Sequence, residues 1–422
     1  MSVAAALLVL AAVVGAWLLI RPAVRRTDLG VWHPAVPWLA LHVVFFGDGS
    51  AAQALDGRPG PALYVGGAIM VFAVAVAGSD RLARRRMGPD AISGELGVED
   101  PAPLRAAVVV GLAMVGVGLI APTLLRVGLP FLAGDITGAR TELAGLPVQV
   151  LRVTLPALAL ALALGRSGWP AIDASRHRSM TWLTVGAIVA LEIALASRYL
   201  VAELLAVGLL GLGLAARHPA RGRMAALALV AVVAFGGIQV LRAYDQAAGR
   251  ELAFAVERTV NRVILIQPRT LEALQTVIPA EQPYFGGSTW LRRLGPALDR
   301  PDIPNLGYWI YARLFPGQEP PGYAAPGLIG EAWANFGPLG LALFAPLGVA
   351  AERLGAILRR RRRATADLVA GALLVVFVAR THALGLNGLA VLVGLVLVWR
   401  VLSAGGLDGT WRATREVIAW RI

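Results

Sequence analysis

Residues 3–20 read VAAALLVLAAVVGAWLLI, a run of apolar side chains and one glycine without an ionisable residue. A helix that crosses a bilayer needs about 20 predominantly apolar residues. Runs of this kind recur along the chain, which is 57% hydrophobic and only 15% charged. Because a soluble domain carries about 25% charged residues, this composition excludes soluble, disordered and fibrous proteins. The sequence predicts an all-α polytopic membrane protein.

We expect about eleven of these runs to cross the membrane. No basic residue precedes the first run and three arginines follow it, which favours a retained span over a cleaved signal peptide. The runs predict an N-terminal bundle of eight helices (1–241), a large loop (242–325), and three further helices with a tail (326–422). The runs cover residues 3–20, 31–46, 61–79, 106–125, 147–165, 181–197, 199–216, 224–241, 326–350, 367–380 and 384–402.

The distribution of arginine predicts the orientation. Lysine is absent, so all 39 basic residues counted as Lys+Arg are arginine. Alternate short connections, beginning after the first helix, each carry at least three arginines, whereas the others carry at most two. Cytoplasmic loops hold the excess of positive charge in membrane proteins. We therefore expect the N-terminus and the loop 242–325 outside, the C-terminus in the cytoplasm, and residues 359–363 to be a topology anchor near anionic lipid.

Several kinds of site are excluded by what the sequence lacks. There is no cysteine, so neither a disulfide nor a thiolate metal site can form. The chain has no GxxxxGK[ST], HExxH or GxSxG motif. No DxD-type pair for a metal-bound nucleotide sugar occurs on the predicted outer side, so we expect no metal and no cofactor. The loop 242–325 is close to charge balance, which disfavours a nucleic-acid partner.

Ionisable and amide side chains of the spans gather in the predicted outer third of the membrane. Such groups are costly in lipid, which makes each of them a candidate functional residue. A transporter that works by alternating access would place them near the midplane instead. The alternative that Arg152, Glu192, Arg198 and Glu203 only pair with one another stays open. The set comprises His42, Gln149, Arg152, Glu192, Arg198, Glu203, Gln239, Arg242, Glu331, Asn335, Arg380, His382 and Asn387.

The first half of the large loop, residues 244–278, has the apolar spacing of a helix. Its residues Glu251, Arg258, Arg262 and Arg269 are predicted to lie within about 40° of one face, with Pro268 as a candidate break before the last. The planar guanidinium fork suits a phosphate. The alternative is a solvated face with i,i+4 ion pairs to Glu257 and Glu272. The second half is rich in proline, glycine and aromatic residues and predicts irregular chain on the membrane surface.

Residues 330–340, GEAWANFGPLG, resemble the G-E-x-x-x-N-F-G-x-x-G signature of the Wzy-type oligosaccharide repeat-unit polymerases, which make O-antigen and exopolysaccharide. Residues 278–279 (IP) followed by 286–290 (GGSTW) are similar to the family's loop segment before that signature. Residues 196–198 (ASR) are similar to its turn before a transmembrane helix. These motifs lie between about residue 190 and residue 345, and the predicted architecture of the whole chain is of the same kind.

The resemblance implies a GT-C-like membrane glycosyltransferase that joins repeat units carried on polyprenyl diphosphate at the outer face of the plasma membrane. The growing chain would be the donor, and a sugar hydroxyl of the incoming unit would be the acceptor. The implied partners are the lipid-linked oligosaccharide, membrane lipid, a flippase and a chain-length regulator. Two other hypotheses stay open: a ligase that moves a finished glycan to another acceptor, and a non-enzymatic flippase.

Given this resemblance, each candidate residue receives a role. Glu331 is the first choice for the general base that a hydroxyl acceptor needs, with His382 second. Asn335 would orient Glu331 or a sugar hydroxyl. The alternatives are that Glu331 is a helix N-terminal carboxylate favoured by the helix dipole, and that Gly330, Gly337 and Gly340 serve close packing. Arginines would stabilise the diphosphate leaving group: first Arg198, Arg258 and Arg262, then Arg242, Arg269 and Arg380.

Overall fold

The computed structural model describes residues 2–87, 106–129, 146–163, 174–195, 198–215, 265–292, 303–317, 323–361 and 365–403, and isolated positions between 253 and 261. All regular structure within these residues is helical. The helices are α1 (Ser2–Thr27), α2 (Ala35–His42), α3 (Asp48–Leu55), α4 (Gly60–Met87), α5 (Ala106–Val127), α6 (Leu146–Ala163), α7 (Ala174–Ala194), α8 (Arg198–Ala215), α9 (Ile266–Val277), α10 (Ser288–Leu291), α11 (Leu306–Leu314), α12 (Gly327–Phe336), α13 (Phe344–Arg361), α14 (Thr365–Ala379) and α15 (Leu386–Ser403).

Helices occupy ten of the eleven predicted runs, and the run 224–241 lies outside the described residues. Within the described part, four helical stretches are long and apolar enough to cross a membrane, namely Val3–Thr27, Ala35–Leu55, Gly60–Arg85 and Gly327–Arg359. Shorter apolar helices coincide with five further runs. These features are those of a helical membrane protein, whereas eleven crossings and a GT-C-like fold stay predictions.

One face of α1 carries large apolar side chains that are exposed in the described part of the chain. Leu7, Leu10 and Leu18 are 58%, 60% and 58% exposed. Small residues on the opposite face, including Ala16 and Ala23, are buried where α1 packs against α4. A stripe of exposed leucine would be unfavourable in water, so this face suits lipid.

The chain forms two compact units, which divide differently from the three consecutive parts expected from the sequence order. The first unit comprises Met1–Gly94, Glu257–Arg359 and Phe377–Ala390. The second comprises Glu95–Val256, Arg360–Val376 and Val391–Ile422. Within the first unit, the described part of the large loop packs with the helices at both ends of the sequence. The division into an N-terminal bundle, a large loop and three C-terminal helices stays a prediction.

A buried cluster of charges joins three helices at one end of the first unit. Arg26, in the last turn of α1, binds Asp80 of α4 and donates to Glu352 of α13 over 2.6 Å. Ser79 donates to the other oxygen of Glu352 at 2.8 Å. The Asp80 and Glu352 side chains are 2% and 0% exposed. These contacts bring together the C-terminal ends of α1, α4 and α13. The predicted topology places the connections that follow these three helices on the same side of the membrane, and the contacts agree with that placement.

The large loop packs at the opposite end of α4. Glu272 of α9 accepts hydrogen bonds from Gln53 of α3 at 2.8 Å and from Arg58 at 2.9 Å. Tyr64, near the start of α4, donates to the carbonyl of Gly337 at 3.1 Å. Glu272 is therefore used to hold the loop helix against the α3–α4 corner. In the alternative of a solvated helix face, Glu272 would instead pair with an arginine of its own helix.

The loop contains more helix than its proline and glycine content indicated. Residues 288–291 and 306–314 form α10 and α11, so irregular chain throughout the second half is wrong for the described residues. Pro268 lies in the first turn of α9, where its missing N–H costs nothing. The stretch that would connect Arg262 to α9 lies outside the described residues, so a break before Arg269 stays a prediction. Side chains from several loop segments and from α12 share one apolar core: Leu274, Val277, Ile278, Leu306, Ile310, Ala324 and Ala334.

In the second unit, α6 packs between α5 and α8. Gly116 and Gly211 allow these close approaches, because a Cβ at either position would collide with a leucine side chain of α6. Arg152 of α6 forms a two-pronged ion pair with Glu203 of α8 and also donates to Gln149 at 3.0 Å. The alternative of a structural pair thus holds for Arg152 and Glu203.

Candidate functional site

Glu331 lies in the second turn of α12, where two donors from other parts of the first unit hold its carboxylate. The indole N–H of Trp290 donates to Oε2 at 3.1 Å, and the backbone N–H of Leu386 donates to the same oxygen at 2.9 Å. Leu386 is the first residue of α15, so this bond places the carboxylate at a helix N-terminus, where negative charge is favoured. Oε1 accepts no hydrogen bond from any residue that the structure describes, and it packs against Gly385.

Gly385 makes room for this carboxylate. A Cβ at position 385 would overlap Oε1, Cδ and Oε2 of Glu331. The neighbouring turn also packs closely, because a Cβ at Gly327 would overlap the backbone carbonyl of His382. The start of α12 and residues 382–386 therefore fit together without side chains between them. We call Glu331, Trp290, Gly385 and Leu386 the carboxylate site.

Asn335, one turn after Glu331, fixes the loop segment that carries Trp290. Its side-chain oxygen accepts from the N–H of Gly287 at 2.9 Å. Its amide nitrogen donates to Thr289 Oγ1 at 2.7 Å and to the carbonyl of Glu331 at 2.8 Å. Asn335 is 1% exposed, and both of its amide hydrogens are used. These bonds hold the segment that carries Trp290, and the burial of Asn335 leaves its side chain little access to a sugar hydroxyl.

Gly337 and Gly340, which follow Glu331, serve close packing, which was the alternative to a functional role for these glycines. Gly337 ends α12 with φ +56°, a left-handed conformation that favours glycine. A Cβ there would reach within 2.5 Å of the Tyr284 hydroxyl. At Gly340 a Cβ would collide with the carbonyl of Ala332 and lie 2.6 Å from the Tyr64 hydroxyl. The motif glycines thus allow the loop, α4 and α12 to meet.

His382 lies beside the carboxylate site in a group of buried aromatic side chains. Its Nδ1 is 3.2 Å from the carbonyl of Ala379, which fixes the hydrogen on Nδ1 and leaves a lone pair on Nε2. The His382 ring stacks on Phe45 at 4.1 Å and meets the ring of His42 edge-on at 6.0 Å. Burial lowers the pKa of His382 well below its usual value, with a smaller contribution from His42. A lowered pKa makes the imidazole a weaker base, so His382 stays the second choice after Glu331, as a prediction.

Thr381 links this group to α2. The indole N–H of Trp38 donates to Thr381 Oγ1 at 2.9 Å, and the same hydroxyl donates to the carbonyl of Val378 at 2.9 Å. Trp38 is itself stacked between His42 at 4.0 Å and Phe72 at 3.7 Å. The turn of His382 is consequently held in place by α2 and α4.

The arginines proposed for an anion fall into three groups. Arg269 is exposed on α9, and Arg380 is half-buried at the start of the turn that carries His382. Arg198 is the first residue of α8 in the second unit. The remaining three, Arg242, Arg258 and Arg262, lie outside the described residues. The first unit thus brings Glu331, Asn335, Arg380 and His382 into one region, whereas the shared arginine face stays a prediction.

Glu192 in the second unit differs from its neighbours Arg152 and Glu203. Its side chain is 0% exposed, and neither carboxylate oxygen has a hydrogen-bond partner among the described residues. It therefore does not join the Arg152–Glu203 pair.

Among the described residues, no group of three or more His, Asp or Glu side chains is placed to hold a metal ion. No protein-family model, curated protein or solved structure matches this chain.

Sequence reasoning missed three members of this region for different reasons. Trp290 was noted only as part of the resembling GGSTW segment, and its bond to Glu331 depends on the turn at Gly286–Gly287. Gly385 and Leu386 follow Glu331 by more than fifty residues, and no local pattern marks a backbone N–H that reaches a distant carboxylate. Such contacts depend on how α12 and α15 meet.

Proposed function

We propose that this protein is a membrane glycosyltransferase that polymerises oligosaccharide repeat units carried on polyprenyl diphosphate, at the outer face of the plasma membrane. The observation that carries the proposal is the hydrogen bonding of the Glu331 carboxylate. One oxygen is fixed by two N–H donors and the other accepts no bond from the described residues. A fixed carboxylate with one oxygen that accepts no hydrogen bond from the described residues can take the proton of a hydroxyl group, as a general base must.

In the proposed reaction, a hydroxyl of the incoming unit attacks the anomeric carbon of the growing chain. A carbon–oxygen bond to the acceptor forms while the bond between that carbon and the diphosphate oxygen breaks. Glu331 Oε1 takes the hydroxyl proton, and the electron pair of the broken bond leaves on the polyprenyl diphosphate. Trp290 and Leu386 keep Oε2 in place throughout, and His382 Nε2 is the second candidate for the proton.

The leaving diphosphate gains negative charge as the bond breaks, so preorganised cations would stabilise the transition state. Arg198 is the first candidate, because it begins α8 at a predicted outer end. Arg380 follows, since it starts the turn that carries His382. Arg258 and Arg262, then Arg242 and Arg269, complete the proposed set.

The ligase hypothesis uses the same donor and the same chemistry but a different acceptor. A reconstitution experiment separates the two: purified protein in liposomes receives lipid-linked repeat units and no other acceptor. A polymerase gives a ladder of chain lengths, whereas a ligase gives none. A flippase gives no new glycosidic bond, but moves the labelled units across the liposome membrane.

The residue assignment is tested in the same assay with Glu331→Gln, which keeps the size of the side chain but removes its basicity. We expect the ladder to disappear while the protein remains folded and inserted. Glu281→Gln is the matched control, because Glu281 is an exposed carboxylate of the same loop. A full ladder from both Glu331→Gln and Arg198→Ala would refute the proposed roles of these residues.

A further inference from the structure

The large loop contains a cavity of about 370 Å³ at the side of its apolar core. This volume lies within the range of about 300–1,000 Å³ typical of small-molecule sites. The lining combines aromatic rings with amide and hydroxyl groups. Its described residues are Gln282, Tyr284, Phe285, Ser288, Ile303, Pro304 and Trp309.

The aromatic wall of this cavity is held rigidly. The guanidinium of Arg313 lies 3.8 Å above the ring of Trp309, and the ring of Phe285 meets Trp309 edge-on at 6.0 Å. The backbone N–H of Phe285 donates to the carbonyl of Ala334 at 3.0 Å. Because both rings are fixed before any ligand arrives, binding would cost little ordering of side chains.

The chemistry of the lining selects the kind of ligand. None of the described lining residues is charged, so the cavity does not suit a diphosphate or another multiply charged anion. A pyranose ring has an apolar face of C–H groups that packs on the electron-rich face of an aromatic ring. Its hydroxyls need donors and acceptors such as Gln282 and Ser288.

The cavity is joined to the carboxylate site through a short stretch of chain. Tyr284, Phe285 and Ser288 line the cavity, while Trp290, two residues later, donates to Glu331. Gly287, in the same segment, donates its N–H to the side-chain oxygen of Asn335, which lies one turn after Glu331 on α12. A ligand in the cavity would therefore be held by the same loop segment that orients the carboxylate.

We infer that this cavity is a binding subsite for an uncharged sugar ring, and that it positions the acceptor oligosaccharide next to Glu331. The inference rests on the proposed function for the role of the bound sugar, whereas the binding itself can be measured without turnover. The lipid diphosphate of the donor would be bound elsewhere, by the arginines.

The test measures equilibrium binding to the full-length protein in nanodiscs. The first probe is the oligosaccharide released by mild acid from the lipid-linked pool of the producing cells, labelled at its reducing end with a fluorescent amine. The second probe is inorganic pyrophosphate. We expect Trp309→Leu and Gln282→Leu to weaken oligosaccharide binding about tenfold or more, and to leave pyrophosphate binding unchanged.

Tyr308→Leu is the matched control, because Tyr308 precedes Trp309 on α11 but is 40% exposed and does not line the cavity. We expect its oligosaccharide affinity to equal that of the wild type. Gln282→Leu guards against a folding defect of the Trp309 variant, because Gln282 lies outside the apolar core of the loop.

The outcomes separate this inference from the proposed function. If the wild type makes polymer but both cavity variants bind the oligosaccharide as tightly as the wild type, the subsite is refuted and the function stands. If binding depends on Trp309 and Gln282 but no ladder forms, the function is refuted and the subsite stands. Absence of oligosaccharide binding by the wild type also refutes the subsite.

Discussion

Replacing Gly385 with alanine should displace the Glu331 carboxylate without disturbing the surrounding helices. A Cβ at this position would overlap the carboxyl carbon and both oxygens of Glu331. The φ of Gly385 lies outside the left-handed region, so the backbone itself accepts alanine. The conflict is therefore limited to one side chain, which can relieve it by turning away from Trp290 and Leu386.

The magnitude follows from the two hydrogen bonds that this movement breaks. Bonds of 2.9 Å and 3.1 Å fix Oε2, and hydrogen bonds to a charged group contribute about 1.5–3 kcal/mol each. Losing both removes about 3–6 kcal/mol that holds the carboxylate in its orientation. Because about 1.4 kcal/mol corresponds to a factor of ten, we expect the polymerisation rate to fall at least about a hundredfold.

The assay is the rate of ladder formation by purified protein in liposomes, with thermal unfolding of the same preparation as a check. Gly388→Ala is the control, because a Cβ there meets only Leu384 Cδ2 at 3.5 Å, an ordinary contact. This variant should polymerise like the wild type. The reasoning is refuted if Gly385→Ala, with unfolding unchanged, also retains the wild-type rate.

Three further predictions concern other parts of the first unit. Asn335→Ala removes the bond to Gly287 and should lower the polymerisation rate, and Asn335→Asp, which keeps that acceptor, should recover part of it. Arg26→Met removes one charged donor from each of two buried carboxylates, which keep Arg84 and Ser79 as donors, and should lower the free energy of unfolding by about 3–5 kcal/mol. Arg84→Met should cost far less, since the Arg84 side chain is 46% exposed. Burial, with a contribution from nearby Arg26, lowers the pKa of His33 to about 4. An unfolded histidine titrates near about 6.5, so unfolding takes up a proton and stability is lost as the pH falls from about 6.5 towards about 4. His33→Asn should reduce this loss in acid melting experiments, and an unchanged loss would contradict the assignment.

The positions of the helices could be predicted from the sequence, because each span is a local property of an apolar run. The buried ion cluster was only partly predictable. The arginines after the first helix were assigned to one side of the membrane, but their partner Glu352 follows Arg26 by more than three hundred residues. A charge pattern indicates which side a residue faces and does not indicate its partner.

The candidate site was predictable only where a local motif carried it. Glu331 and Asn335 were identified from the GEAWANFG segment, and the structure adds what each of them contacts. The aromatic cavity was predicted as surface chain, because Tyr284 and Trp309 are separated along the sequence and come together only through the core of the loop. Composition showed that this part of the loop is rich in aromatic residues. Which of these residues line one cavity depends on the tertiary structure.

The hydrogen bonds at Glu331 bear on whether this residue is the proposed base or a structural helix cap. A carboxylate that serves only to satisfy N–H groups is free to use both oxygens, but here Trp290 and Leu386 both donate to Oε2. Gly385 leaves room for the carboxylate itself, because a Cβ there would overlap Oε1, Cδ and Oε2. A cap and a base both need that room, so the glycine does not separate the two roles. Glu331→Gln does separate them, because the amide keeps the size of the side chain and lacks the basicity that only a base needs.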